Sequence, residues 1–146
     1  MINKILVPLD GSEYSKRALE LACDLAEKYE AELHLLHVIL TGESKRTLVL
    51  GGASITVNSS REKIEEAGRK VLGAAEQIAA DRGCKRTHSE VVVGPAAQAI
   101  LEHAKGNNID MIVMGSRGLS DIAGLAVGST SHKVSHLAEC TCVTVH

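Results

Sequence analysis

The chain has 146 residues, enough for one domain that buries roughly 70% of its unfolded surface without disulfide staples. Tyr14 and Tyr29 are its only aromatic residues, so the stacking platforms of single-stranded nucleic-acid binders are missing. The formal net charge is -2 with no basic block, which argues against a nucleic-acid surface.

No apolar stretch approaches the roughly 20 residues needed to cross a bilayer, and Met1 to Leu9 lacks the charged start and long apolar stretch of a signal peptide. A cytoplasmic protein without membrane insertion is expected. Cys23, Cys84, Cys140 and Cys142 show no C-x-x-C spacing, and reduced, structural thiols fit that compartment. Cys140 and Cys142 would share one face of a final strand.

The first element is the apolar run Ile5-Leu6-Val7-Pro8-Leu9, a buried strand with Pro8 at its end, bounded by Asp10-Gly11. Ser12 is a suitable N-cap for a helix in which Ala18, Leu21, Ala22, Leu25, Ala26 and Tyr29 recur at helical spacing. Leu33 to Leu40 is a second strand. Thr41 to Ser59 has no clear period and reads as a long loop. Ser60 to Arg82 reads as a helix, which Gly68 and Gly73 weaken by roughly 1 kcal/mol each relative to Ala.

Arg86 to Val93 is a third strand, polar at its start and so near a sheet edge. Gly94-Pro95 opens a helix that Gly106-Asn107-Asn108 closes. Asp110 to Met114, Thr130 to Ala138 and Thr141 to Val145 complete the order as strand, helix and strand. Strands this apolar, alternating with helices, imply a parallel sheet covered on both faces. Ligands of such folds sit beyond the strand C-terminal ends where the winding reverses. Asp10 and Gly115 lie at two such ends and would share the crevice if the first and fourth strands are neighbours.

The candidate site is the pattern Gly115-Ser116-Arg117-Gly118, nine residues, then Gly128-Ser129-Thr130. It lies between a strand and a helix start. Glycines let backbone N–H groups approach an anion, and the helix N-terminus adds unpaired donors and a positive dipole end. Nucleotide binding is the expectation. Neither G-x4-G-K-[ST] nor G-x-G-x-x-G occurs. No evident base or positioned Lys accompanies the loop, so any nucleotide hydrolysis is expected to be slow. His132 and His136 share a helix face, and a solvated or dimer-facing pair is expected rather than a metal site. His34 and His37 should point to opposite faces of their strand, with His37, beside Val38, at the rim of the candidate site.

With these residues in view, the whole chain, 1–146, resembles the universal stress protein family. The resemblance rests on Ile5-Leu6-Val7-Pro8-Leu9-Asp10-Gly11-Ser12, His37-Val38, Gly94-Pro95-Ala96 and Met111-Ile112-Val113-Met114-Gly115-Ser116-Arg117-Gly118. The G-x2-G-x9-G-[ST] pattern of the ATP-binding branch is met by Gly115, Gly118, Gly128 and Ser129. Cys140 is followed by Thr141 where the family usually has proline.

The resemblance implies a single α/β domain, a three-layer sandwich with a five-stranded parallel sheet of order 3-2-1-4-5. It also implies a homodimer formed through the last strand, Thr141-Val145, and ATP held between the first and fourth strands. By the same carry-over, Pro8, Asp10 and Val38 line the adenine and ribose side, with Leu9 a further candidate binding residue. Met114, Gly115 and Gly118 approach the ribose and α-phosphate, and Gly128, Ser129 and Thr130 hold the outer phosphates; Arg117 is a further candidate, either in contact with phosphate or solvated. A divalent ion, Mg2+ or Mn2+, would be bound through phosphates and water. The function so implied is a nucleotide-responsive regulatory module acting on a protein partner. The alternatives are a slow ATPase and a nucleotide-free, chaperone-like scaffold.

Overall fold

The computed structural model describes residues 1–40, 45–50, 53–58, 61–119 and 127–146. In chain order the elements are β1 (Lys4–Pro8), α1 (Glu13–Tyr29), β2 (Glu32–Ile39), β3 (Lys45–Leu50), β4 (Ala53–Asn58), α2 (Arg61–Asp81), β5 (Thr87–Val93), α3 (Ala96–Gly106), β6 (Met111–Gly115), α4 (Ser129–Leu137) and β7 (Thr141–Val145). The main sheet has the order β5-β2-β1-β6-β7, and every pairing in it is parallel. Numbered among the sheet's own strands, this is the expected 3-2-1-4-5.

The two faces follow from alternation along each strand. Ile5, Val7, Leu33, Leu35, Met111 and Val113 pack with the apolar sides of α1 and α2. Leu6, Leu36, Ile112 and Met114 point the other way, onto α3 and Val134 of α4. With no tyrosine in this core cluster, helix contacts such as Ala18, Ala22 and Ala75 bring α1 and α2 close to the sheet. Val143 and Val145 of β7 join the α1 side, whereas Cys140 and Cys142 pack together on the α3 side. The polar start of β5 lies on an edge strand, as its composition suggested.

One expectation is corrected. Within the segment read as a loop, Lys45–Leu50 and Ala53–Asn58 form an antiparallel two-stranded sheet, Leu50 opposite Ala53 and Lys45 opposite Asn58. The runs are rich in Thr, Val, Ile and Leu and are separated only by Gly51-Gly52. A two-glycine spacer between β-rich runs is a hairpin signal. The remaining residues of that reading, 41–44, 51–52 and 59, lie outside the described residues, as do 120–126 within the glycine spacing.

Helix ends are also defined locally. Ser12 caps α1 by accepting the Ser15 N–H at 3.2 Å, and Glu30 closes it in the left-handed region at φ 55°. Pro95 stands at the N-cap of α3 with φ -62°. Strand β1 is hydrogen-bonded to both β2 and β6, and the connection from β5 carries the chain across to β6. The winding direction therefore reverses between β1 and β6, and the crevice of this fold opens beyond Pro8 and Gly115.

Candidate functional site

Strand β1 delivers Asp10 to that crevice. Its Oδ1 accepts the Ser12 N–H at 2.9 Å, and its Oδ2 accepts the Leu119 N–H at 3.0 Å. One carboxylate thus ties the β1–α1 turn to the loop that leaves β6. Gly11, in that turn, has φ 86°, a conformation natural to glycine.

Gly115 is glycine for a steric reason. A Cβ there would lie 2.7 Å from Tyr14 Cβ and 2.8 Å from the Tyr14 carbonyl carbon. The first turn of α1 can sit against the end of β6 only because that Cβ is missing. Beyond Gly115 the loop is held by backbone: Ser116 N–H donates to Val145 O at 2.7 Å, and Gly128 N–H donates to Ser116 O at 2.6 Å. Ser131 Oγ donates to Gly115 O at 2.7 Å, which anchors the first turn of α4 to the same strand end.

Gly128 is the N-cap of α4 and offers no side-chain acceptor. The first-turn amides of that helix therefore keep their donors and the positive end of the dipole. Arg117 adds a full charge. Its guanidinium carbon stands 5.9 Å from the Tyr14 ring centroid, with Arg17 at 5.7 Å, and its buried Nε has no partner among the described residues. A buried, unpaired guanidinium N–H beside an uncapped helix start suits an anion.

These groups surround a cleft of about 300 Å³, at the lower end of the range for small-molecule sites. Of the residues expected from sequence, Pro8, Leu9, Asp10, Val38, Met114, Gly115, Arg117, Gly118 and Thr130 line it. Ser129 instead faces an adjoining groove between α3 and α4, and Gly128 is buried. His37 lines the cleft as expected. Its Nδ1–H donates to Leu9 O at 2.7 Å, and its ring lies over Gly68 of α2, where a Cβ would approach to 2.8 Å.

Sequence reasoning missed Leu36, Ala96, Ile100, Leu119 and Ser131, all in the cleft wall. Leu36 was within reach, being two residues before Val38 on one strand and so on the same face. The other four come from α3, α4 and the loop, and only packing places them there. His34, on the opposite face from His37, is buried against His103 of α3. The rings of His132 and His136 stack at 6.3 Å on exposed α4. Among the described residues no group of three or more His, Cys, Asp or Glu could hold a metal ion, and no helix is long and apolar enough to cross a membrane.

Comparison with known proteins agrees with this architecture. The universal stress protein family matches over residues 1–146. Universal stress protein YxiE of Bacillus subtilis is 36% identical over 148 residues, covering 99% of each chain. Universal stress protein UspA from Lactobacillus plantarum superposes with a TM-score of 0.76 at 24% identity, over 99% of this chain and 98% of the other. A universal stress protein solved in complex with cAMP superposes with a TM-score of 0.74 at 25% identity, over 99% of this chain and 97% of its own.

Proposed function

The chain belongs to the universal stress protein family, and on that footing we propose that it is an ATP-binding regulatory module. The observation that carries this reading is the meeting of Asp10 with the glycine loop at Leu119, beside the uncapped first turn of α4. An acid at the nucleoside end and unpaired donors at the other end suit a nucleotide better than a simple anion. The related protein in complex with cAMP supports an adenine ring as the base.

In this reading adenine and ribose rest against Pro8, Leu9, Asp10 and Val38, and Met114 supplies apolar contact beneath them. Gly115 and Gly118 let backbone approach the first phosphate, and Arg117 neutralises charge. Gly128, Ser129 and Thr130 receive the outer phosphates on the α4 first turn. The orphaned Arg117 Nε is consistent with that fit. A bound Mg2+ or Mn2+ would screen phosphate charge through oxygen contacts.

The chain's own residues orient and hold the nucleotide, and the regulatory output is a change in surface recognised by a protein partner in the cytoplasm. Such a switch requires different nucleotide affinity in its two states. Homodimer formation through β7 belongs to the same proposal, since this strand has β6 on one side only in the sheet order and an unpaired edge invites pairing.

The first test is to denature freshly purified protein and identify released nucleotide by chromatography and mass. Stoichiometric ATP supports the reading. A protein that arrives empty and shows no calorimetric binding of ATP with Mg2+ overturns it, and cAMP or AMP at full occupancy would replace ATP as the ligand. Folded Gly118→Val should lose the binding, because the added side chain fills the space a phosphate needs.

A further inference from the structure

Among the described residues, a cluster of titratable groups outside the cleft joins three elements on the α3 side of the sheet. His34 Nδ1 of β2 lies 3.3 Å from His103 Nε2 of α3. The outer nitrogens each face an acid: His34 Nε2 is 2.7 Å from Glu32 Oε1, and His103 Nδ1 is 3.2 Å from Glu90 Oε2 of β5. Both rings are buried. His88 of β5, whose ring centroid is 5.2 Å from that of His34, and Lys4 of β1, paired in register with Glu32, are the other charged or titratable groups facing the pair.

Proton counting decides what this chain of four can do. A carboxylate only accepts, so Glu32 and Glu90 require protons on His34 Nε2 and His103 Nδ1. If both rings are neutral, bare lone pairs then face one another across 3.3 Å. One added proton between the inner nitrogens completes an unbroken chain. A second would set two N–H groups head to head and force the rings apart. We propose that Glu32–His34–His103–Glu90 is an acid-sensing clamp that holds α3 on the sheet with at most one shared proton and releases it when a second is forced in.

Burial is the main influence on both rings and holds their pKa values below the ordinary histidine value, against the opposing pull of Glu32 on His34 and Glu90 on His103. The sign follows directly. An unfolded chain takes up two protons at these residues as pH falls through about 6.5, and the folded clamp takes at most one. The unfolded or released state therefore binds more protons, so the clamp is fully effective above that pH and is lost progressively below it. Helix α3 also contributes Ala96 and Ile100 to the cleft wall. Acid release would thus loosen one side of the nucleotide site, a consequence that rests on the function proposed above.

The test uses the ligand-free protein, so it stands even if the nucleotide reading fails. Nitrogen-15 spectra of the histidine side chains are followed from pH 7.5 to 5. In the folded protein His34 and His103 should titrate as one unit, taking up a single proton between them while Nε2 of His34 and Nδ1 of His103 stay protonated. Two separate titrations, each ending in a full imidazolium with the fold intact, would overturn the proposal.

Hydrogen exchange gives the second readout. Protection of α3 amides relative to α1 should fall at least tenfold per pH unit once pH is well below about 6.5, the effect of the one or two protons the released state holds in excess. A ratio unchanged to pH 5 overturns the clamp. The double variant His34→Gln/His103→Gln should flatten the ratio, and a dependence that persists in it counts against the proposal. If that variant fails to fold, the wild-type ratio decides.

Discussion

Asp10 and Leu119 meet across the mouth of the cleft, with Asp10 Oδ2 accepting the Leu119 N–H at 3.0 Å. The contact spans 109 residues of sequence and holds the loop after β6 against the end of β1. Asp10→Ala should weaken ATP binding roughly 10- to 150-fold, the range of a charge-assisted hydrogen bond. Inorganic triphosphate, which lacks a nucleoside end, should lose less. Calorimetry with both ligands checks this, and equal losses would remove Asp10 from the nucleoside side.

Gly115→Ala should destabilise the fold by ~1–3 kcal/mol, the usual cost of overpacking. The new methyl would press on Tyr14 Cβ at 2.7 Å and on backbone at 2.8 Å, neither of which is a flexible tip. Urea unfolding of the ligand-free protein measures the loss. A midpoint equal to wild type would show that α1 shifts at no cost.

Gly68 and Gly73 both sit inside α2, where helix propensity alone would treat them alike. They should part company. Gly73 has nothing within 4 Å of an added Cβ, so Gly73→Ala should stabilise by ~0.5–1 kcal/mol. Gly68→Ala should fail to stabilise, because its methyl meets the His37 ring at 2.8 Å and that ring is tied to Leu9 O. Equal gains for the two substitutions would mean the His37 ring moves freely.

Cys23 should resist alkylation. Burial, helped by the adjacent Cys84, pushes its thiol up to about 12, and burial pushes Cys142 up to about 11. The thiolate fraction of Cys23 at pH 8 is then about a thousandfold below that of an ordinary thiol. Iodoacetamide labelling followed by peptide mass analysis should show Cys23 modified only after unfolding. Rapid labelling of Cys23 in the native protein would place it at a more open site.

The main sheet was readable because its strands carry their own signal. Ile5-Leu6-Val7 and Met111-Ile112-Val113-Met114 are apolar on both faces, and a strand covered by helices on both sides needs that. The hairpin of β3 and β4 was not read, because no single face of it alternates cleanly and the length of the segment favoured a loop. Its one local signal was the Gly51-Gly52 spacer between β-rich runs.

The candidate site divides in the same way. Gly115, Gly118 and Thr130 were marked by spacing and by the strand-loop-helix order around them. Leu119 and Ser131 carry no such mark. Leu119 matters through its backbone N–H, which any residue but proline would supply, and Ser131 through a hydroxyl that finds Gly115 O only once α4 has docked.

By itself the sequence determined the alternation of strands and helices, the five parallel strands and the family, since these rest on periodicity, capping residues and motif spacing along neighbouring positions. Only the tertiary structure decided that Gly115 must yield space to Tyr14, that Gly68 makes room for His37, and that His34 faces His103. Those relationships join residues tens of positions apart, and a pattern confined to one stretch of chain holds no information about which side chain of another element will arrive against it.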